Sequence, residues 1–332
     1  MIQKIKYLNG SSNDPYLNLA IEEYLLETVE QDTCFLYLWQ NENTVVIGRN
    51  QNPWKECRIQ ELKEDGGHLV RRLSGGGAVF HDLGNLNFTF LVHKCHYDLD
   101  KQLEVILCAV KKLGIHAEKS GRNDITISGR KFSGNAFYTR GEKCYHHGTL
   151  LVSADMQKLS KYLQVSKDKL ALKGVDSVRS RVANLSEYQT GLTITMLKEK
   201  LLEAFEETYG HKAVYCKQED LDQEAVSNGR RKFSDFSWLY GRTMDFQYEL
   251  SKQFAWGNVS WQFQVSCGII KDLQLFSDSM EPDLVEMLPR FIKGSRYENK
   301  DICNRLNQVS AMTQVQSIII EDLIEFFATA KI

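Results

Sequence analysis

Three consecutive glycines, Gly75-Gly76-Gly77, set between Arg71-Arg72-Leu73-Ser74 and Ala78-Val79-Phe80-His81, constrain this chain more than any other feature. Glycine costs backbone entropy in a helix or strand and brings no side chain to pack, so such a run suits neither. It suits a turn that something approaches closely, and its N–H groups can point at phosphate oxygens. Arg71 and Arg72 stand just ahead of the turn, and a guanidinium fork grips a phosphate or carboxylate with two hydrogen bonds. No Lys-Ser/Thr pair follows the glycines, and the spacing is not G-x-G-x-x-G, so neither common nucleotide loop is present. A plain glycine-rich turn beside two solvated arginines is the competing account.

Three further blocks concentrate polar chemistry. In Gly129-Arg130-Lys131-Phe132-Ser133-Gly134-Asn135-Ala136, which follows Asp124-Ile125-Thr126-Ile127-Ser128, a lysine lies between two glycine-containing turns. Its ammonium could enter a cleft and offset charge on a phosphate, or simply be solvated. His146-His147-Gly148-Thr149-Leu150-Leu151 reads as a strand that opens polar and closes apolar, with its histidines either acid/base groups or hydrogen-bonded strand residues. Ser177-Val178-Arg179-Ser180-Arg181-Val182-Ala183-Asn184-Leu185 is basic and hydroxyl-rich, the pattern of a surface loop.

Between these blocks the elements are readable. Asp14 and Pro15 predict a helix start, with Leu17, Ala20, Ile21, Tyr24 and Leu25 on its buried side and Glu22, Glu23 and Glu27 mostly opposite. Strands are predicted over 34–39 and 44–48 and a single helix over 54–64. Residues 68–92 and 123–153 read as strand-rich, and 100–113 and 193–209 as helices. Three strands between 246 and 276, then helices near 283–288, 300–309 and 314–328, make a second unit. Strands and helices do not alternate regularly, which predicts an α+β fold. The boundary falls near 240–245, giving units over 1–244 and 245–332.

Charge narrows the partners. Lys+Arg number 41 and Asp+Glu 43, without the basic excess a dedicated nucleic-acid binder shows. No run of about eighteen apolar residues predicts a membrane span, and the first residues lack the apolar core of a signal peptide. The eight cysteines are scattered singly, with no zinc spacing, so reduced thiols and a cytoplasmic location are expected and no metal ligand is readable.

In their order and spacing the blocks resemble the lipoate–protein ligase A family. The resemblance spans nearly the whole chain: Asn18-Leu19-Ala20-Ile21-Glu22-Glu23, Gly48-Arg49-Asn50-Gln51-Asn52, the arginine–glycine block through Gly84-Asn85-Leu86-Asn87-Phe88, the Gly129–Ala136 block, His147–Leu151 and Ser180–Leu185. It implies an α+β catalytic domain of the class II aminoacyl-tRNA synthetase and biotin ligase type, followed by a small α+β accessory domain. It also implies a two-step reaction. Lipoate and Mg-ATP give lipoyl-AMP and pyrophosphate, and a lysine of a 2-oxoacid dehydrogenase E2 lipoyl domain or of glycine-cleavage H protein then takes the acyl group.

Carried over by motif, Arg72 and Gly77, Ala78, Val79 and Phe80 belong to the nucleotide site, and Lys131 touches both the lipoate carboxyl region and the phosphate. Ser74, His81, Asn85 and His147 are further lining residues, with His81 and His147 candidate bases for the acceptor lysine. Val79, Phe88 and Phe90 are expected along the acyl tunnel, and 177–185 over the adenylate. The rival from the same superfamily is an ATP-independent octanoyl- or lipoyltransferase using a cysteine thioester, for which Cys144, near Lys143 and His146, is the candidate. One departure is Met244, in Trp238-Leu239-Tyr240-Gly241-Arg242-Thr243-Met244, where the family often has proline; the hinge into the small unit is expected to be less rigid.

Overall fold

Alternation along Asn85–His93 organises the larger part of the molecule. Leu86, Phe88, Phe90 and Val92 enter one core with Leu103, Ile106 and Val110 of helix Leu99–Lys112 and Leu197, Leu201 and Phe205 of helix Ile194–Tyr209. The residues between them point to the other face of the sheet, where Leu91 joins a second core with Leu19, Leu25 and Leu26 of helix Pro15–Thr28. Two of those intervening residues, Asn87 and Thr89, are polar yet buried. That polar stripe lies beneath the functional cavity.

The computed structural model describes residues 2–121, 124–164, 182–241 and 244–330. In chain order its strands are β1 (Lys4–Asn9), β2 (Thr33–Trp39), β3 (Thr44–Ile47), β4 (His68–Arg71), β5 (Val79–His81), β6 (Asn85–His93), β7 (Glu118–Ser120), β8 (Asp124–Ile127), β9 (Arg130–Arg140), β10 (Lys143–Leu151), β11 (Ala213–Tyr215), β12 (Tyr248–Phe254), β13 (Gly257–Ser266) and β14 (Ile269–Ser277). Eight form one sheet in the order β11-β1-β2-β6-β10-β9-β8-β7, in which β1 runs parallel to β2 and β11 and the other pairs are antiparallel. A small sheet, β4-β3-β5, carries the arginine–glycine block between β4 and β5. The mixed topology is the α+β fold predicted from the element pattern.

The first helix starts as predicted: Asp14 accepts from the Tyr16 and Leu17 N–H groups, and Pro15 occupies the first turn. Only the end of its polar face meets solvent, where Glu27 is exposed as expected. Helix Gln223–Ser234 packs along this first helix so closely that a Cβ on Gly229 would stand 2.9 Å from that of Ala20. Glu23, beneath that helix, is 8% exposed, and Glu22, turned to Thr89 and His147 of the sheet, is 1% exposed, which corrects the expectation that these two face outward. Glu23 pairs with Lys232 at 2.6 Å and with Arg140 at 3.0 Å.

The helix predicted over 54–64 is two helices, Pro53–Glu56 and Ile59–Glu64. Cys57 between them is extended and bridges to Leu163, while the Arg58 N–H donates to the Tyr162 carbonyl. A long-range backbone bond overrides the local helical pattern there.

β12, β13 and β14 form a separate antiparallel sheet, covered by helices Pro282–Ile292, Asn299–Leu306 and Gln314–Thr329 around a core that includes Trp261, Phe263, Leu288 and Phe327. This unit docks on the Gly48–Asn50 loop and the glycine turn. Arg49 pairs with Asp283 at 2.8 Å and Glu286 at 2.7 Å, Asn50 Nδ2 donates to the Pro282 carbonyl, and the Gly76 N–H donates to the Ser279 carbonyl. A Cβ on Gly75 would lie 2.1 Å from that same carbonyl oxygen. One glycine of the triplet thus admits the C-terminal unit, not a ligand. Met244 is described, but its hinge neighbours 242–243 lie outside the described residues. Among the described residues no helix is long and apolar enough to cross a membrane.

Candidate active site

The glycine turn, β9, β10 and the polar stripe of β6 line a cleft of about 160 Å³ that opens to solvent. Exposure falls along it. Gly77, Ala78, Val79, Lys131, Gly134 and Thr149 are half-buried at one end, whereas Leu19, Trp39, Val46, His81, Asn87 and His147 are buried. The cleft therefore has a mouth and a closed end.

At the mouth, the Lys131 ammonium stands 2.7 Å from Asp124 Oδ1, both side chains being 36% exposed. Lys131 crosses Gly134 so tightly that a Cβ there would meet its Cε and Nζ at 2.9 Å. The Ala183 N–H donates to the Lys131 carbonyl and Val182 bridges to Lys131, so the C-terminal end of the 177–185 segment attaches to the lysine's own backbone. Residues 177–181 lie outside the described residues. A Cβ on Gly77 meets nothing within 4 Å among the described residues, so this glycine borders open space.

Arg72 sits deeper, and most of its donors are committed to the turn: Nε to Ser74 Oγ, Nη1 to the Val46 carbonyl, and Nη2 to the carbonyls of Gly75 and Gly77. Burial lowers its pKa to about 10, so it stays charged at neutral pH. It lines the cleft and shapes the glycine turn at once. Arg71 does something else. It is fully buried and donates to the carbonyls of Gly48, Arg49, Gln51, Trp238 and Leu239, which corrects the expectation of a phosphate grip at this residue.

A directed hydrogen-bond chain closes the inner wall. Arg72 Nε–H donates to Ser74 Oγ at 3.0 Å, and Ser74 Oγ lies 2.8 Å from His147 Nε2. His147 Nδ1 is 2.8 Å from Glu22 Oε1, which also accepts from Thr89 Oγ1 at 2.7 Å; Thr89 in turn accepts from Trp39 Nε1. With a carboxylate at one end, His147 carries its proton on Nδ1 and accepts from Ser74 through Nε2. Buried Arg72 and Glu22 are thereby linked, each compensated by hydrogen bonds.

His81 is fixed differently. Asn18 Nδ2 donates to the carbonyls of Ser12 and Gln40 and to Asn41 Oδ1, so Asn41 must turn its NH₂ toward His81 Nδ1, 3.1 Å away. His81 is then the Nε2–H tautomer. Burial, reinforced by Arg72 and His147, pushes its pKa down to about 3. That makes it a poor base, while His147 has both ring nitrogens engaged by protein groups.

Of the sequence-identified residues, Arg72, Gly77, Ala78, Val79, His81, Lys131 and His147 line the one cleft. Ser74 lies behind His147, and Asn85 lies behind Asn87, donating from Nδ2 to Asn87 Oδ1 at 3.0 Å. Phe80 alternates away from its strand neighbours and packs on Tyr162, ring centroids 5.3 Å apart, in a separate cluster. Phe88 and Phe90 are in the opposite core, which corrects the expectation that they line the cleft, whereas Val79 does line it. Sequence reasoning gave no role to Glu22, Trp39, Asn87 or Asp124. The available signal was Asn87 and Thr89 alternating with apolar residues in a buried strand.

His146 faces away from the cleft, between Gln102 and Asn135, and burial pushes its pKa to about 3. Cys144 is also buried outside the cleft lining, accepts a hydrogen bond from Thr139, and has its thiol pKa raised by burial. A thioester nucleophile needs the opposite shift and an open approach, so the cysteine alternative is not supported. Among the described residues no group of three or more His, Cys, Asp or Glu could hold a metal ion.

Comparison with known proteins gives a consistent picture. Residues 14–206 match the model of the lipoyl protein ligase A/B catalytic domain, and residues 243–327 that of the bacterial lipoate protein ligase C-terminus. The chain is 38% identical to a lipoate-protein ligase A of Psychrobacter cryohalolentis, covering 97% of this chain and 98% of that one. Its fold is similar to that of P. falciparum LipL1, solved in complex with lipoate, with a TM-score of 0.86 and 30% identity over 98% of this chain and 100% of that one. It is also similar to a bipartite lipoate protein ligase of Thermoplasma acidophilum, described with its E2 lipoyl domain, with a TM-score of 0.65 and 26% identity over 73% of this chain and 98% of that one.

Proposed function

The chain belongs to the lipoate–protein ligase A family, and from that premise we propose that its cleft activates lipoate with Mg-ATP and passes the lipoyl group to a protein lysine. The cleft itself supports this reading: a cation at an open mouth, an open glycine edge beside it, and buried residues at the other end. A carboxylate oxygen of lipoate attacks the α-phosphorus, and the bond to the β-phosphate breaks as pyrophosphate leaves. Lys131 aligns the two reactants and offsets the charge that develops, while Asp124 holds its ammonium in place. Arg72 and the segment from Gly77 to Val79 form the nucleotide side, and Phe80, packed on Tyr162, supports that segment from behind. Ser74, His81, Asn85 and His147 build the inner wall or support it.

In the second step an acceptor amine attacks the acyl carbonyl and AMP departs. The acceptor class is the lipoyl domain of an E2 subunit or the glycine-cleavage H protein. Magnesium arrives with ATP, held mainly by phosphates and water. Val182 and Ala183, attached to the Lys131 backbone, bring the described end of the 177–185 block beside the reacting centre. Residues 1–244 are the catalytic unit and 245–332 the accessory unit.

The direct test is pyrophosphate release from Mg-ATP with lipoate and no acceptor protein. Lipoate-dependent release is expected; folded protein that releases none contradicts the adenylation step. In the same preparation Cys144→Ser should transfer acyl groups at a rate within about twofold of the parent, because the thiol packs away from the cleft. An inactive but folded Cys144→Ser variant would restore the thioester transferase.

A further inference from the structure

The closed end of the cleft is not purely apolar. His81 forms part of its wall, is 3% exposed, and its Nε2 has no hydrogen-bond partner among the described residues. The Asn18–Asn41 arrangement leaves the proton on that nitrogen. A buried N–H without an acceptor is costly, and a native structure seldom leaves one without a reason. Asn87, which also lines the cleft, has a side-chain nitrogen with no partner among the described residues, while its Oδ1 accepts from Asn85. The other polar groups here are occupied: Trp39 Nε1 by Thr89, and His147 by Glu22 and Ser74.

We infer that His81, together with Asn87, is a specificity-determining residue that selects an acyl chain whose tip carries hydrogen-bond acceptors. The inference rests on reading the cleft as the acyl site. With the carboxyl at Lys131, the chain tip falls among Trp39, Val46, His81 and Asn87. The dithiolane ring of lipoate offers two sulfur acceptors at that point, weak but better than none. A purely hydrocarbon tip fills the same volume and leaves the His81 N–H unsatisfied. Discrimination then comes from the unpaired donor, not from size. This assigns His81 to substrate choice and not to proton transfer.

The test compares three acids in acid-dependent pyrophosphate release by the full-length protein: lipoate, octanoate and 5-cyclopentylpentanoate. The last has the same chain and a five-membered ring without sulfur. The parent protein should favour lipoate over the cyclopentyl acid by about tenfold in kcat/KM, the scale of one weakly satisfied buried donor. His81→Phe should bring that ratio near unity, and His81→Gln, which keeps an N–H donor, should retain part of it. Equal use of the two ring acids by the parent protein overturns the inference while leaving the ligase reading intact, and this arm needs no variant to fold. An unchanged ratio in folded His81→Phe overturns it as well. Failure of all three acids to release pyrophosphate removes the acyl-site reading and this inference with it.

Discussion

Replacing Lys131 by alanine is expected to lower lipoate-dependent pyrophosphate release by at least about 10²–10³-fold, the usual cost of removing a preorganised charge at a reacting centre. The melting transition should barely move. The lysine is more than one-third exposed and its ion pair is with Asp124, itself equally exposed; such a pair contributes at most about 1 kcal/mol. Its carbonyl, which receives the Ala183 N–H, survives the substitution. Arginine is not a conservative replacement here, because a planar fork cannot reproduce the compact point charge that lies over Gly134. A folded Lys131→Ala protein that still releases pyrophosphate within about tenfold of the parent rate would remove Lys131 from the reacting centre.

Much of the frame that positions this lysine is legible in the sequence, because it is written in local chemistry. The Asp14-Pro15 helix start, the alternation of β6 and the glycine punctuation around Lys131 each follow from a few neighbouring residues. What fails is what depends on distant partners. A helical pattern separates Glu22 and Glu23 from the apolar side, but it cannot announce that helix Gln223–Ser234 covers Glu23 through Lys232 while Glu22 turns to Thr89 and His147 of the sheet. Alternation says that Phe88 and Phe90 share a face, yet it cannot say which face looks onto the cleft. The break at Cys57 is set by Leu163, which no local signal announces.

The glycine triplet shows the same division. Its meaning as a place of close approach is correct, but the three residues meet different neighbours. Gly75 faces the Ser279 carbonyl, Gly76 takes a left-handed conformation with Arg72 and Met280 against it, and Gly77 borders open space. The buried polar wall is harder still to read, since Glu22, Ser74, Asn87 and His147 come from four separate segments. Each is unremarkable alone; a charge or amide becomes informative once burial demands a partner for it.

Arg71 is the sharpest case, and its substitution should have the largest effect on stability. Arg71→Ala removes a fully buried guanidinium that donates to five backbone carbonyls, joining the Gly48–Gln51 loop to the carbonyls of Trp238 and Leu239. The Trp238 indole N–H also reaches back to the Arg71 carbonyl, tying the same two segments. Losing one charged donor shared among several buried acceptors should cost on the order of 3–5 kcal/mol, read as a clear fall in melting temperature. Lysine should recover only part of this, having three donors in no fixed plane where five carbonyls converge. Arg58→Ala, at a half-exposed arginine whose ion pair among the described residues is with Glu61 of its own turn, serves as the control and should stay within about 0.5 kcal/mol. If Arg71 gripped phosphate instead, the alanine variant would melt like the parent and show a raised KM for ATP. Normal melting would therefore return Arg71 to the nucleotide, whereas an early transition leaves it as the internal clamp that holds the loop next to the glycine turn.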